Sequence, residues 1–164
     1  MLRSRIGFST TNHLLSRVVR FVTRSNCSHV FFVYYDQDFC LDMVMEAHWS
    51  YRLIPLDQFT KTNKIIRIIT PKHDIDLAIK SSVHWLGSLY DAKGLVGMAW
   101  VKLGRWLRHC WKNPFRSTAN VYCSEAVTRG LLDQRYPGFN SMDAETVGPD
   151  DLLEFFITES DKTT

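Results

Sequence analysis

Six consecutive apolar or aromatic residues, Val30–Tyr35, restrict the possible folds more than any other segment. Consecutive side chains of a β-strand point to opposite faces of a sheet, so such a run predicts a strand that is covered on both sides. The polar residues 36–38 predict a turn, and the sequence FCLDMVMEAHW (39–49) predicts a second strand. The fold must therefore place material on both faces of a small sheet.

The remaining segments predict an α+β arrangement. Short strands are predicted at RIGFST (5–10) and KIIRIIT (64–70), and the segment 51–63 is predicted to be a loop. Helical spacing of apolar residues predicts helices within 10–25, 74–90, 94–113 and from Cys123, with a short helix beginning near Pro149. Antiparallel strands with helices segregated around them are typical of an α+β domain, and we expect one such domain over 1–164.

The composition excludes several classes of protein. A chain of 164 residues with 45% hydrophobic and 23% charged residues is typical of a globular domain. The net charge of +3 is too small, by itself, to indicate a nucleic-acid partner, and no basic stripe with interleaved aromatic residues stands out in the first 90 residues. We therefore expect no nucleic-acid partner.

The four cysteines and the N-terminal sequence indicate a cytoplasmic protein with reduced thiols. None of Cys27, Cys40, Cys110 and Cys123 forms a C-x-x-C pair, so neither a zinc knuckle nor a redox centre is predicted. The first 15 residues lack the continuous apolar segment of a signal peptide. No run reaches the roughly 20 apolar residues of a transmembrane helix.

Cys123 stands where a reactive thiol would be expected. Ala126, Val127, Gly130 and Leu131 recur behind it at helical spacing, which places the thiol at a helix N-terminus. The partial positive charge there lowers the pKa of a thiol, and the free N–H groups of the first turn can stabilise an oxyanion. The alternative is that Cys123 is a small buried hydrophobic residue, as most free cysteines are.

His29, at the start of the apolar strand, is the candidate base. A two-residue hairpin loop at 37–38 would place His29 directly opposite Glu46 on one face of the sheet. Glu46 would then accept a hydrogen bond from one imidazole nitrogen while the other nitrogen faces a thiol. A one-residue slip would move Glu46 to the other face. His48 is the alternative orienting residue, and a packed core histidine is the alternative reading of His29.

Five segments together resemble a known family. TRSNCSHVFFVYY, VMEAHW, LYDAKGLVGMAW, VYCSEAV and TVGPDDLLEFF look like successive motifs of the circularly permuted papain-like amidases related to the NlpC hydrolases, with lecithin:retinol acyltransferase as a distant relative. In that family the histidine precedes the cysteine, and here His29 and Glu46 precede Cys123. The resemblance spans roughly residues 13 to 156.

The resemblance implies both a fold and a set of roles. The implied fold is a small antiparallel sheet or half-barrel packed against the helix that carries the cysteine. Cys123 would be the nucleophile, His29 the general base and acid, and Glu46 the residue that orients His29. Four further residues would bind substrate or lie near the cleft: Tyr90, Asp91, Ser124 and His48.

The implied activity is thiol-dependent hydrolysis of an amide through an acyl-enzyme, without a metal or organic cofactor. A peptide, including a cell-wall peptide, is the first substrate class by resemblance. A lipid ester or amide, cleaved or transferred by the same chemistry, is the second. A binding module that keeps the fold without the activity is a third possibility. The sequence does not indicate an oligomeric state.

The segment 98–112 predicts an amphipathic helix. Apolar and basic residues fall on opposite sides of it: Trp100, Leu103, Leu107, Cys110 and Trp111 against Lys102, Arg105, Arg108, His109 and Lys112. This is the pattern of a helix lying on an anionic membrane surface. A helix packed on the core with a solvated basic face produces the same pattern more often, and tryptophans that cover the substrate cleft are a third interpretation.

Overall fold

A five-stranded antiparallel sheet forms the centre of the computed structural model, which describes residues 3–115 and 120–161. The strands are β1 (Arg5–Thr10), β2 (His29–Asp36), β3 (Leu41–Ala47), β4 (Tyr51–Pro55) and β5 (Lys64–Ile69). Their order across the sheet is β4-β3-β2-β1-β5, and every neighbouring pair is antiparallel.

The central strand β2 is covered on both faces, as its apolar run predicts. Val30 and Phe32 belong to the main core between the sheet and the helices, where they meet the helix that begins at Cys123. Phe31 and Val33 point to the opposite face and form a smaller core with Phe59. All four β2 residues are essentially inaccessible to solvent.

Six helices pack around this sheet in the described ranges. They are α1 (Leu14–Thr23), α2 (Leu56–Thr60), α3 (Asp76–Ser82), α4 (Ala92–Trp106), α5 (Cys123–Asp133) and α6 (Pro149–Asp161). Helix α5 contacts β2 and α3, and α1 packs along α4. The α+β class is thus confirmed. No helix in residues 3–115 and 120–161 combines the length and apolarity required to cross a membrane.

The β2–β3 hairpin has a register two residues away from the predicted one. Asp36 pairs with Leu41, so four residues rather than two connect the strands. The Asp36 carboxylate closes this loop by accepting from the backbone N–H groups of Asp38 and Phe39, each at 3.0 Å. A shift of two residues preserves the alternation of faces, and Glu46 therefore stays on the face expected for it.

The prediction of a loop over 51–63 is wrong. Residues Tyr51–Pro55 form the edge strand β4, which pairs with β3 as Glu46 with Arg52 and Ala47 with Tyr51. Helix α2 follows at once and buries Phe59. The sequence YRLIPLDQF lacks a strict alternation of polar and apolar residues, and its proline is tolerated because it ends an edge strand.

Helix α4 ends at Trp106, six residues before the end of the pattern over 98–112. Beyond it, Arg108 adopts a left-handed backbone with φ 57°, which an α-helix cannot continue through. Trp111 then stacks on Trp100 with ring centroids 4.2 Å apart, in space that the absent side chain of Gly104 leaves open. The tryptophans of this segment thus pack on one another rather than along one continuous helix.

Lys102 does not lie on a solvated basic face. Its Nζ atom is 2.5 Å from Asp150 and 2.9 Å from Asp151, and the side chain is buried. This ion pair joins α4 to the first turn of α6. The predicted polar face of the segment is therefore interrupted by a structural contact.

Candidate active site

Three elements bring the predicted catalytic residues together. His29 is the first residue of β2, Glu46 lies near the end of β3, and Cys123 is the first residue of α5. Because α5 packs against β2, its N-terminus lies beside the start of that strand. Residues almost one hundred positions apart in the sequence thus meet at one end of the sheet.

His29 is held by an acidic side chain that is itself held by an arginine. The Nε2 atom of His29 is 2.7 Å from Oε2 of Glu46. The other oxygen, Oε1, accepts from both Nε and Nη2 of Arg52, at 2.9 and 2.6 Å. Glu46 is fully buried, and these contacts use both of its oxygens, which fixes the orientation of the carboxylate.

The Cys123 thiol is the second partner of the His29 ring. The thiol lies close enough to the ring for His29 to dominate its electrostatics after burial, and since Nε2 faces Glu46, Nδ1 is the nitrogen left for the sulfur. The backbone N–H groups of Val30 and Ser124 also point to the sulfur. The order of contacts is therefore Cys123, His29, Glu46 and Arg52.

The electrostatics of this chain favour a thiolate beside an imidazolium. Burial opposes charge on the Cys123 thiol, but the hydrogen bond and the positive charge of His29 outweigh it and lower the pKa of the thiol. Burial likewise opposes charge on His29, yet its hydrogen bonds to Cys123 and Glu46 raise the pKa of the ring to about 10. The pKa of Glu46 falls to about 2, because His29 and Arg52 together outweigh its desolvation.

Aromatic packing fixes the plane of the imidazole. The His29 ring stacks on Phe31 and Phe59, with centroid distances of 5.8 and 6.2 Å. Phe31 lies over Gly7 of the paired strand β1, where a Cβ atom would overlap the phenyl ring. The orientation of His29 thus depends on a glycine in another strand.

Tyr90 lies closer to the chemistry than the sequence indicates. Its hydroxyl lies within the electrostatic reach of Cys123, and burial followed by the charge of Cys123 raises the pKa of the phenol well above its ordinary value. A bridge between Tyr90 and Val121 brings it to the start of α5. The adjacent Asp91 is buried and caps α4, accepting from the backbone N–H of Gly94 at 2.8 Å.

The other two predicted substrate-binding residues have different surroundings. His48 lines the cleft beside His29 and packs edge-on against Trp49. Burial, followed by the nearby positive charge of Arg52, lowers the pKa of His48. Ser124 is fully buried and its hydroxyl donates to the carbonyl of Val147 at 2.8 Å, so its side chain does not face the cleft.

A cleft of about 380 Å³ opens beside His29 and Glu46. Its walls come from the start of α1, the start of α4 and the turn after β3. Most of the lining is apolar, and it includes Leu14, Leu15 and Val19 of α1 and Leu95 of α4. An apolar group can therefore reach the His29 end of the site.

Arg52 is the functional candidate that the sequence interpretation missed. It lies in the segment 51–63, which the sequence predicts to be a loop, although it pairs directly with Glu46 across β3 and β4. A cross-strand pair of opposite charges is detectable only after the second strand has been recognised. The Tyr90–Cys123 contact was missed for a similar reason, since it depends on an isolated bridge between distant segments.

Comparison with known proteins supports the fold alone. No family model and no curated protein matches this chain. Among solved structures, it is similar to the metalloprotein YiiX of Escherichia coli O157:H7, a DUF1105 protein, with a TM-score of 0.55 and 18% sequence identity. The match covers 80% of this chain and 64% of the other, so the chain spans less than two thirds of the length of that protein.

The described side chains do not fit a metal centre. Within residues 3–115 and 120–161, no group of three or more His, Cys, Asp and Glu side chains is arranged to hold an ion. Both oxygens of Glu46 are already engaged, one by His29 and one by Arg52. The carboxylate oxygens near Cys123 that could bind a metal ion are therefore already engaged in hydrogen bonds.

Proposed function

We propose that this chain is a cysteine hydrolase or acyltransferase with a permuted papain-like fold. Cys123 is the nucleophile, His29 is the general acid and base, and Glu46 orients and stabilises the charged imidazole. The observation that carries the proposal is the contact sequence from Cys123 through His29 to Glu46, with the thiol pKa lowered by the histidine. A nucleophile, a base and a polar group that orients the base are the requirements of this chemistry.

In the first step, the Cys123 thiolate attacks the carbonyl carbon of an amide or ester, and the carbonyl π electrons move to the oxygen. The Tyr90 hydroxyl and the backbone N–H groups of Val30 and Ser124 face the sulfur, and they stabilise the oxyanion. As the tetrahedral intermediate collapses, the His29 imidazolium transfers its proton to the leaving nitrogen or oxygen. An acyl-thioester on Cys123 and a neutral His29 remain.

In the second step, neutral His29 removes a proton from water, or from an acceptor hydroxyl or amine. The activated oxygen or nitrogen attacks the thioester carbonyl, and the C–S bond breaks. The thiolate of Cys123 and the imidazolium of His29 are then restored. Glu46, held by Arg52, stabilises the imidazolium and keeps its own negative charge throughout the cycle.

The lining of the cleft bears on the choice of substrate. The family resemblance favours a peptide amide, including a cell-wall peptide. The apolar side chains of Leu14, Leu15, Val19 and Leu95 favour instead an ester or amide of an apolar acyl chain. This second candidate uses the same catalytic residues and differs only in the group that occupies the cleft.

The test is detection of the acyl-enzyme with a panel of activated donors. Nitrophenyl esters of short and long acyl chains, and nitroanilides of N-acylated dipeptides, are incubated with the protein. Intact mass and peptide mapping then locate any acyl group. We expect the acyl adduct on Cys123, with none in Cys123→Ala, and strongly reduced turnover in His29→Ala.

Cys27→Ala is the matched control, because Cys27 is also buried and its pKa is raised to about 12, mainly by burial. It should acylate as the wild type does. Adducts distributed equally over the exposed Cys40 and Cys110, or no turnover with any donor, would contradict the proposed function.

A further inference from the structure

Acidic and basic residues are segregated along this chain far more than its net charge of +3 indicates. Residues 1–35 contain five arginines and no acidic residue, and residues 92–124 contain six lysines and arginines and no acidic residue. All 17 acidic residues lie in the rest of the chain. The two acid-free segments include helices α1 and α4, respectively.

Helices α1 and α4 lie side by side and run in the same direction. Near their N-termini, Leu15 and Leu95 line the same cleft. One turn further along both helices, Val19 and Met98 belong to a small core that also contains Leu95. After the end of α1, the Arg24 guanidinium stacks over the Trp106 ring of α4 at 3.5 Å. Helices α1 and α4, neither of which contains an acidic residue, therefore lie together along the molecule.

This face exposes large apolar side chains in unusual number. On α1, Val19 is the buried apolar residue, while Leu14 and Phe21 are 76% and 75% exposed. We call the surface formed by the exposed apolar and basic side chains of α1 and α4, and of the residues directly after each helix, the α1–α4 face. Its exposed apolar residues are Leu14, Leu15, Val18, Phe21, Val96, Trp100, Leu103, Trp106 and Leu107.

Exposed basic side chains accompany these apolar residues. Arg17 and Arg24 flank the apolar side chains of α1, and Lys93, Arg105 and Arg108 accompany those of α4. Apolar side chains bordered by cations, without an intervening acid, match the boundary between the headgroups and acyl chains of an anionic bilayer. Patches of exposed apolar surface of this kind mark interaction sites.

We propose that the α1–α4 face docks on anionic lipid bilayers, with its apolar side chains inserted at the level of the headgroups. This surface differs in two ways from the amphipathic helix that the sequence predicts over 98–112. It includes α1, and it omits Lys102, because that side chain contacts Asp150 and Asp151. The cleft beside His29 opens at the N-terminal end of the same face, where Leu14 and Leu15 line it.

The charges favour a bilayer over the other occupants. A second copy of the chain, docked through the same face, would bring two acid-free, cationic surfaces together, and like charges repel at short range. A nucleic acid would satisfy the cations but would leave the exposed leucines, valines and Phe21 facing a polar backbone. An anionic bilayer matches both the charge and the apolar side chains.

The test is co-sedimentation with vesicles of phosphatidylcholine alone and of phosphatidylcholine mixed with phosphatidylglycerol. We expect binding to the mixed vesicles at low salt, at least about tenfold weaker binding to neutral vesicles, and partial release by salt. Docking does not depend on the proposed chemistry, so Cys123→Ala should bind as the wild type does. Loss of catalysis without loss of docking would therefore fault the proposed function alone.

Two double variants separate the apolar and the charged contributions. Val18→Ser with Phe21→Ser removes exposed apolar side chains, and Arg17→Glu with Arg105→Glu reverses exposed charges. Each should weaken binding to mixed vesicles by at least about tenfold, and the apolar variant should also abolish the binding that survives high salt.

The matched controls are equally exposed residues elsewhere, Phe39→Ser for the apolar pair and Lys61→Glu with Lys80→Glu for the charged pair. They should bind as the wild type does. Circular dichroism verifies folding, and the charge variant keeps the test valid if the apolar one does not fold. Equal binding to neutral and mixed vesicles, equal losses in variants and controls, or a stable dimer that binds no vesicles would overturn the proposal.

Discussion

At the scale of single residues, Glu46 lies between two cations, His29 and Arg52. Its negative charge is needed to neutralise them in the folded protein. The carboxylate is fully buried, bonded to His29 on one oxygen and to Arg52 on the other. Removal of one member of a buried ion pair leaves the remaining charge buried without a counter-ion. The site therefore links the stability of the fold to the protonation of His29.

We predict that Glu46→Gln lowers the free energy of unfolding by about 3 kcal/mol, because an amide cannot neutralise the two cations. Urea denaturation measures this. The matched control is Asp42→Asn, which removes the partner of Arg5 at a more exposed position of the same strand and should cost less than about 1 kcal/mol. Equal losses in the two variants would show that the Glu46 network is no stronger than a surface pair.

The pH dependence of stability has two limbs with opposite signs. The folded-state pKa of Glu46 is lowered from 4.5 to about 2, so its contribution is complete above pH 4.5 and disappears as the pH falls towards about 2. The folded-state pKa of His29 is raised from 6.5 to about 10, so its contribution is complete below pH 6.5 and disappears as the pH rises towards about 10.

We therefore predict that, in a Cys123→Ser background that removes the opposing titration of the thiolate, the free energy of unfolding declines both below pH 4.5 and above pH 6.5. His29→Ala should flatten the alkaline limb, and Glu46→Gln should flatten the acid limb. Thermal melts across this range give the measurement. An alkaline limb that persists unchanged in His29→Ala would contradict the assignment.

The sequence allowed the residues of the candidate site to be predicted, but not all of their contacts. The predicted hairpin register placed His29 and Glu46 on one face, and this holds although the actual register is shifted by two residues. The role of Arg52 could not be predicted, because a short edge strand that ends in proline carries no alternation signal.

At the scale of elements, the proposed catalytic histidine, His29, is positioned by the contact between two strands. Phe31 of β2 covers Gly7 of β1, and His29 stacks on Phe31 and Phe59. Protein interiors are closely packed, so a change in β1 displaces the ring in β2. Strand pairing and the orientation of the imidazole are therefore coupled.

We predict that Gly7→Ala destabilises the fold by about 1–3 kcal/mol through overpacking, and that it also slows acylation of Cys123. The second effect arises because Phe31 cannot move without moving the ring stacked on it. The double variant with Phe31→Leu makes room and should recover part of both losses. Destabilisation with an unchanged acylation rate would contradict the coupling of Phe31 to His29.

The elements themselves were predictable to different degrees. Helix α5 has clear helical periodicity and the central strand is a continuous apolar run, and both match the expected positions. The end of α4 was not predictable, because the amphipathic pattern continues to Lys112 while the backbone turns at Arg108. Stacking of Trp111 on Trp100 and the burial of Lys102 decide that end, and both are tertiary contacts.

At the scale of the whole molecule, one buried ion pair ties the α1–α4 face to the C-terminal helix. Lys102 of α4 contacts both Asp150 and Asp151 of α6. Burial raises the pKa of Asp150, although the charge of Lys102 opposes this. Without the lysine, two adjacent carboxylates would remain without a cation.

We predict that Lys102→Met lowers the free energy of unfolding at neutral pH by about 3 kcal/mol. The pKa of Asp150 would then rise further, so part of the loss should be recovered as the pH falls and that carboxylate becomes neutral. Lys93→Met, at an exposed position of the same helix, is the control and should be nearly neutral. A loss in Lys102→Met that does not vary with pH would argue against the ion pair as its origin.

The central claim is that His29 holds Cys123 as a thiolate, and the ultraviolet absorbance of the thiolate tests it without requiring a reagent to enter the site. The wild-type spectrum minus that of Cys123→Ser, followed across pH, gives the titration of Cys123 alone. We predict an inflection well below the ordinary thiol pKa of about 8.5, and its displacement to high pH in His29→Ala, where burial acts unopposed. A wild-type inflection at or above that ordinary value, unchanged in His29→Ala, would contradict the account.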